Sequence, residues 1–376
     1  MAFAFVLLVG AGLLVRSFVR VLKVDLGFQP ERLAALQLSP DPRSDLGARN
    51  TYFDETLRRA QATPGIRDAA LTDVLPLGGN RSWGIAGVGQ TYDRDAYPQA
   101  FVRVVSEGYF EAMGVPLVMG RDFQAQDRLD SEPVVVLNAM LAEMLWPGED
   151  PIGKKLADGN GSNGPLVVGV VGNVRHQSLE EGYTGEMYLP IRQTYDYGSV
   201  NLAVRTDLPP NALASSVRAA LTPIAPNLAA NEWQTQQALI DKAVSPRRFL
   251  VLLLAGFAVF ALVLASLGIY AVISYSVSQR QQEIGIRMAL GASAAELQRS
   301  VLAQTLQLAA IGAVIGLVGS WALGRTIQNL LFDVAPSDPL TFVGALAALA
   351  AVAALAGYLP ARRASRLNPL EALGAE

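Results

Sequence analysis

FLVLLLAGFAVFALVLASLGIYAVISYSVSQRQQEIGIRMALG, residues 249 to 291, decides how this chain is organised. No Asp, Glu, Lys, Arg or His occurs from Phe249 to Gln279, and the run exceeds the roughly 20 apolar residues that cross about 30 Å of hydrocarbon. The charged, helix-favouring segment Gln279 to Gly291 follows at once, and a second uncharged run, Val301 to Gly324, begins soon after it. A polar helix on so short a tether between two spans cannot wander. Whatever docks on it can push directly on both spans.

Inside that segment Ile284, Met288 and Leu290, with Ala289, form an apolar patch, while Glu283 and Arg287 stand four apart and can pair on one helix face. Gly285 and Gly291 permit a bend and a sharp stop. A partner protein could clamp the helix through Met288 and Leu290 and steer it with Glu283 and Arg287. The plain alternative is an amphipathic helix lying on lipid headgroups.

Working outward, Val301 to Gly324 carries Gly312 and Gly316 as a GxxxG pair, which lets helix backbones approach closely in lipid. Leu340 to Pro360 is long enough for a further span but draws much of its apolarity from alanine, so a buried helix is its rival reading. At the amino terminus AFAFVLLVGAGLLV reaches Arg16 after fourteen apolar residues. It lacks the basic leader and cleavage site of a signal peptide and reads as a short or truncated first span, continued by RSFVRVLKV.

The chain has 376 residues, 51% of them hydrophobic, yet the interval from Arg16 to Arg248 mixes prolines, glycines, aromatics and charges as a folded water-exposed domain does. ERLAALQLSP, IRDAALTDVLPL, EPVVVLN, GPLVVGVVGNVRH, EMYLPIRQ and VNLAVRT predict strands; ARNTYFDETLRRAQ, AMLAEMLW and NALASSVRAAL predict helices. Strand and helix units joined by short turns imply an α+β domain of two lobes. The segments after the second and fourth spans are net basic, so this domain carries the chain's negative charge. That argues against nucleic acid as a partner.

Basic residues beside the spans set the orientation. Arg280, Arg287 and Arg299 follow span two, and Arg362, Arg363 and Arg366 follow span four. Arg16, Arg20, Lys23, Arg247 and Arg248 weaken the bias, but long domains translocate largely regardless of charge. The large domain is therefore placed outside the cytoplasm and both termini inside. Arg362, Arg363 and Arg366 suit anionic lipid at on the order of 1 kcal/mol each. The chain has no cysteine, which rules out thiol chemistry and leaves the compartment open.

Signals for catalysis are weak. No GxxxxGK[ST] phosphate loop occurs, and GVVGNV around Gly169 and Gly172 reads as a buried strand and turn. His176 is the single histidine, without nucleophile-elbow context, and reads as a solvated loop residue. Asp127, Asp130, Glu132, Glu180 and Glu181 lack calcium-loop spacing.

YFEAMGVPLVMGRDF, VVVLNAMLAEMLWPGEDPIGKKL, VVGVVGNVRH and MYLPIRQ resemble the extracytoplasmic core domain of MacB-like ABC transporter permeases. SPRRF before span two, RQQEIGIRMALGAS after it and PARRASRLNPLEAL after span four resemble the FtsX-like permease domain of the same family. The likeness covers almost the whole chain in family order. It implies four transmembrane α-helices with a large α+β two-lobed extracytoplasmic domain between helices 1 and 2. The layout expected is helix 1 with its outward extension at 1–24, core domain at 25–245, helix 2 at 246–279, and coupling helix and loop at 280–298. Helix 3 follows at 299–326, a short outer loop at 327–338, helix 4 at 339–360 and a cytoplasmic tail at 361–376.

The resemblance further implies no enzyme and no cofactor in this chain, with ATP and Mg on a partner ABC ATPase subunit. It implies coupling to that subunit through Glu283, Ile284, Arg287, Met288, Leu290 and Gly291, and a tail contact through Arg362, Arg363 and Arg366. A second permease half, membrane lipid and a periplasmic adaptor complete the expected partners. The expected location is the plasma (inner) membrane. The single copy and clipped first helix read as a truncated copy or one half of a duplicated permease. The function expected is mechanotransmission for efflux or export of an antibiotic, peptide or lipid-like client. An FtsX-like transmitter activating a cell-wall hydrolase and a lipoprotein-release permease are the alternatives.

Overall fold

The computed structural model describes residues 1–364 apart from 42, 94–96, 158–162, 196, 198, 227, 229–232, 281, 284–285 and 288–292. The chain divides into two compact units, Val24–Val244 and a second made of Met1–Lys23 with the residues from Ser245 onward.

Among the described residues, four helices are long and apolar enough to cross a membrane. They are α1 (Ala2–Val21), α6 (Gln236–Gln279), α7 (Ala294–Ile327) and α8 (Pro339–Ala364). α7 starts on a capping box in which the Ser293 side chain accepts from the Glu296 N–H and Glu296 reaches back to the Ser293 N–H. Small residues let the helices meet. A Cβ added at Gly316 would lie 2.9 Å from the Phe5 Cβ, one at Gly12 2.7 Å from Thr341, and one at Gly357 2.6 Å from the Thr305 hydroxyl. α6 packs through Ile269 and Ile273 against Ala309 and Ala353, but leaves Phe249, Leu252, Phe260 and Leu267 exposed, as suits a lipid-facing helix.

α6 begins at Gln236 rather than at 246. Pro246 sits inside it and removes one backbone hydrogen bond without ending it. Its first turns bury Gln236, Ile240 and Val244.

Among the described residues the core domain is built on one sheet of eleven strands. Lobe one orders β11 (Trp233–Thr235), β1 (Leu33–Leu38), β10 (Val200–Thr206) and β2 (Ile66–Thr72), all antiparallel. Helices α2 (Leu46–Gln61) and α5 (Pro210–Leu221) lie on one face, where Phe53, Ala60, Leu213 and Val217 pack on Leu36, Leu71, Leu202 and Val204. The period of two decides this: Ala34 and Leu36 face the helices while Leu33 and Ala35 face the opposite core. Full burial of each such Leu or Val stabilises by about 1.5–3 kcal/mol.

Lobe two continues the sheet through β4 (Gln99–Val105), β9 (Glu186–Pro190), β6 (Val134–Asn138), β8 (Asn163–Val171) and β5 (Leu117–Gly120). β3 (Ser82–Gly84) pairs with β4, and β7 (Lys155–Ala157) pairs with β8. The Gly87–Leu156 bridge, with Ala157 N–H on the Ala86 carbonyl at 2.8 Å, joins these two margins and curls the lobe towards a barrel. Inside it Ile85, Val102, Leu137, Val167 and Met187 meet Leu141, Leu145 and Trp146 of α4 (Ala139–Leu145) and its C-cap. β4 escapes the sequence pattern because Arg103 interrupts its apolar run and is nonetheless buried.

Among the described residues the lobes join at one strand pair, Thr72 with Val105. The Ser106 N–H donates to the Leu71 carbonyl at 2.9 Å, the Leu71 N–H to the Ser106 Oγ at 2.9 Å, and the Asp73 N–H to the Val104 carbonyl at 2.9 Å. Beneath this seam a shared core of Leu33, Ala203, Val105, Val136, Val171 and Tyr188 is sealed by Tyr109, Phe110 and Met113 of α3 (Tyr109–Met113). Two lobes are therefore present, but on a continuous sheet.

Candidate functional site

Of the residues proposed to couple to a partner, Glu283 and Arg287 are helical and exposed, and the Arg287 Nη2 donates to the Glu283 Oε1 at 2.5 Å across one helical turn. Ile284, Met288, Leu290 and Gly291 lie outside the described residues. Ile286 stands half exposed beside the pair. In the tail, the Arg363 Nη1 donates to the Tyr270 hydroxyl of α6 at 2.8 Å, and Arg362 is exposed; Arg366 lies outside the described residues. Gly312 and Gly316 both face α1: a Cβ at Gly312 would fall 2.3 Å from the Met1 Cβ.

At the other end of the bundle, Ser17 of α1 is fully buried and its oxygen accepts from the Phe332 N–H at 2.7 Å and the Arg247 Nη1 at 3.3 Å. Arg16 pairs with Asp338, and Arg20 with Asp333 at 2.5 Å. α1, α6 and the loop before α8 are pinned together there by polar contacts.

The core domain holds a buried polar cluster that the sequence reading missed. His176 is a correction: it is not solvated but 3% exposed, with its Nε2 3.4 Å from the Glu186 Oε2. Burial, with Arg103 nearby, holds the His176 pKa well below its ordinary range, so the contact joins a neutral imidazole to a carboxyl and is not an ion pair. Burial pushes Glu186 up to about 7 against the opposing pull of Arg103 and of the Tyr188 hydroxyl, which donates to it at 2.7 Å. Both imidazole nitrogens, the Glu186 Oε1 and the Arg103 Nε find no hydrogen-bond partner among the described residues.

Parallel register places this cluster. Phe101 and Arg103 of β4 stand beside Glu186 and Tyr188 of β9 on the face that carries the shared core. The Arg103 guanidinium donates to the Gly79 carbonyl at 3.2 Å and to the Asn80 Oδ1. Asp73, also pushed up by burial, accepts from the Val74 and Val104 N–H groups, each at 2.9 Å, and pairs with Arg81 at 2.9 Å. One sequence signal exists: in QAFVRVV the arginine shares parity with Phe101 and Val105, an inward position for a charge.

Three other singled-out residues, Asp127, Glu132 and Gly169, have structural roles. Asp127 makes a bidentate pair with Arg121 at 2.8 and 2.9 Å and accepts from the Gln124 N–H; burial pushes its carboxyl up, but these contacts hold it below the usual range. Glu132 pairs with Lys155 at 2.7 Å. A Cβ at Gly169 would fall 2.2 Å from the Arg121 carbonyl oxygen, which explains the glycine without a phosphate.

Four membrane-length helices among the described residues, with an α+β domain between the first and second, define the class of multi-pass membrane proteins. Residues 1–224 match the MacB-like periplasmic core domain and residues 255–369 the FtsX-like permease C-terminal family. The chain belongs to the MacB-like, FtsX-like permease family. It is 28% identical over 285 residues to a probable syringafactin export ATP-binding/permease protein of Pseudomonas syringae pv. tomato, covering 72% of this chain and 41% of that one. It is 27% identical over 286 residues to the macrolide export ATP-binding/permease protein MacB of Neisseria meningitidis, covering 72% and 42%. A pyoverdine export ATP-binding/permease protein of Pseudomonas putida is 28% identical over 276 residues, covering 71% and 41%. The chain thus spans about two fifths of the length of these relatives. Among solved structures, the periplasmic region of MacB from Actinobacillus actinomycetemcomitans aligns with a TM-score of 0.39 at 18% identity, covering 59% of this chain and 97% of that one.

Proposed function

We propose that this chain is the permease half of an ABC exporter that carries ATP-driven motion across the inner membrane to its core domain. A partner ATPase closes on residues 280–294, α1 and α6 shift against each other, and the core domain opens or closes on its client. One observation carries this reading: a polar helical segment with an exposed Glu283–Arg287 pair lies between two spans of a chain whose two modules match the permease family in order. The family component is a permease, so ATP and Mg belong on the partner subunit. Relatives named for macrolide, syringafactin and pyoverdine export support an antibiotic, peptide or lipid-like client.

In this reading both termini are cytoplasmic and the core domain is periplasmic. A second permease half completes the transporter, Arg362, Arg363 and Arg366 add a contact near the ATPase or bind anionic lipid, and a periplasmic adaptor receives the client. Deleting residues 281–291 is expected to abolish co-purification with the ATP-binding subunit while leaving membrane insertion unchanged. An ATPase that stays bound to the deleted permease in a pull-down refutes the reading.

A further inference from the structure

The crossover from lobe one to lobe two, Asp73 to Arg81, runs from the end of β2 to the start of β3 and is held at every turn. Its ends are clasped by the Asp73–Arg81 pair at 2.9 Å, and the Asn201 amide of β10 donates to the Asp73 carbonyl at 3.0 Å. Arg103 grips Gly79 and Asn80 from below, and the Leu77 N–H donates to the His176 carbonyl at 3.0 Å. Leu77 adopts φ +66°, a left-handed conformation that costs a non-glycine residue on the order of 1 kcal/mol, so the surrounding contacts impose it.

The remaining contact comes from the head of α6. Gln236, its first residue, is 2% exposed, and its Nε2 donates to the Pro76 carbonyl at 3.0 Å. An amide side chain buried this deeply is costly without a partner. Leu239, one turn on, packs against the shared core beneath the seam. The first turn of the longest apolar helix is therefore anchored to the segment that links the two lobes, next to the Thr72–Val105 pair.

We propose that the 73–81 crossover is a latch: Gln236, as a positioning residue, holds Pro76 so that the strained crossover keeps the seam between the lobes shut. Withdrawing the Gln236 amide frees Pro76, lets Leu77 relax and loosens the Thr72–Val105 pairing. The inference rests on the proposed function only for what pulls on α6.

The test is hydrogen–deuterium exchange by mass spectrometry on the full chain in lipid nanodiscs, with no ATPase present, so that its failure and the failure of the transporter reading are separable. Gln236→Met keeps the volume and removes the donor. Exchange at the amides of Leu77, Val104 and Ser106 is expected to rise about five- to tenfold, the loss of one hydrogen bond, while the β1–β10 ladder is unchanged. Gln236→Glu provides rescue: below its carboxyl pKa the protonated side chain donates to Pro76 and protection returns, and above it protection is lost, each reading taken relative to the parent at the same pH because Asp73 and Glu186 of this domain also titrate. A rise confined to residues 233–240 overturns the latch. So does a rise that includes the β1–β10 ladder, since that is general loosening.

Discussion

Glu186→Gln tests the buried cluster most directly. The Glu186 side chain is fully buried and its carboxyl is pushed up from 4.5 to about 7. A group whose pKa is raised by folding contributes stability that is complete below the unfolded value and is lost as pH rises through the folded one. At about 1.4 kcal/mol per unit, ionising Glu186 in place removes about 3 kcal/mol between pH 4.5 and 7.5. His176 works in the opposite sense: its depressed pKa gives stability that is present above 6.5 and lost as pH falls. Asp73 is raised in the same direction as Glu186. Both are common to parent and variant, so the difference between their stability curves isolates Glu186. Glutamine still accepts the Tyr188 hydroxyl and never ionises. Urea unfolding of the full chain in detergent, followed by tryptophan fluorescence at steps from pH 4.5 to 8, should show the variant gaining about 3 kcal/mol on the parent as pH rises. A difference curve flat across this range would mean that Glu186 is already ionised in the fold, held by Arg103, and would refute the reasoning.

Other substitutions probe the membrane unit and the coupling segment. Gly316→Leu drives side-chain atoms into Phe5 and should cost about 1–3 kcal/mol, read as a lower Tm in detergent, whereas Gly268→Leu, where an added Cβ meets nothing within 4 Å, should not. Ser17→Ala removes the buried oxygen that accepts from the Phe332 N–H and should destabilise by about 1–3 kcal/mol in the same assay. Exchanging Glu283 and Arg287 together preserves an exposed pair with a stability contribution of only about 0.3–0.5 kcal/mol. Tm should hold while co-purification with the ATP-binding subunit falls; retained association would show that the charges do not steer it.

Much of the architecture was legible because each signal is local. An uncharged run such as Phe249 to Gln279 has few fates other than a membrane, and alternation in LAALQL or VNLAVRT follows directly from the pleat. Glu283 and Arg287 were readable as a pair because helical spacing alone brings them together. Gly312 and Gly316 announced close packing, but only the fold shows that Met1 and Phe5 fill the space above them.

Burial at long range was not legible. His176 looked solvated because it follows the strand in a polar loop, Asn173 to Ser178; Glu186 and Arg103 come close to it from two strands brought side by side by parallel pairing. Nothing local to Gln236 signals its burial, since its partner Pro76 lies 160 positions away. By itself the sequence determined the spans, the polar segment between them, the two-lobed α+β class and the family, since these rest on local hydropathy, periodicity and motif order. Tertiary structure alone decided which charges are taken out of water and what holds the lobes together, because desolvation depends on every segment that closes over a side chain.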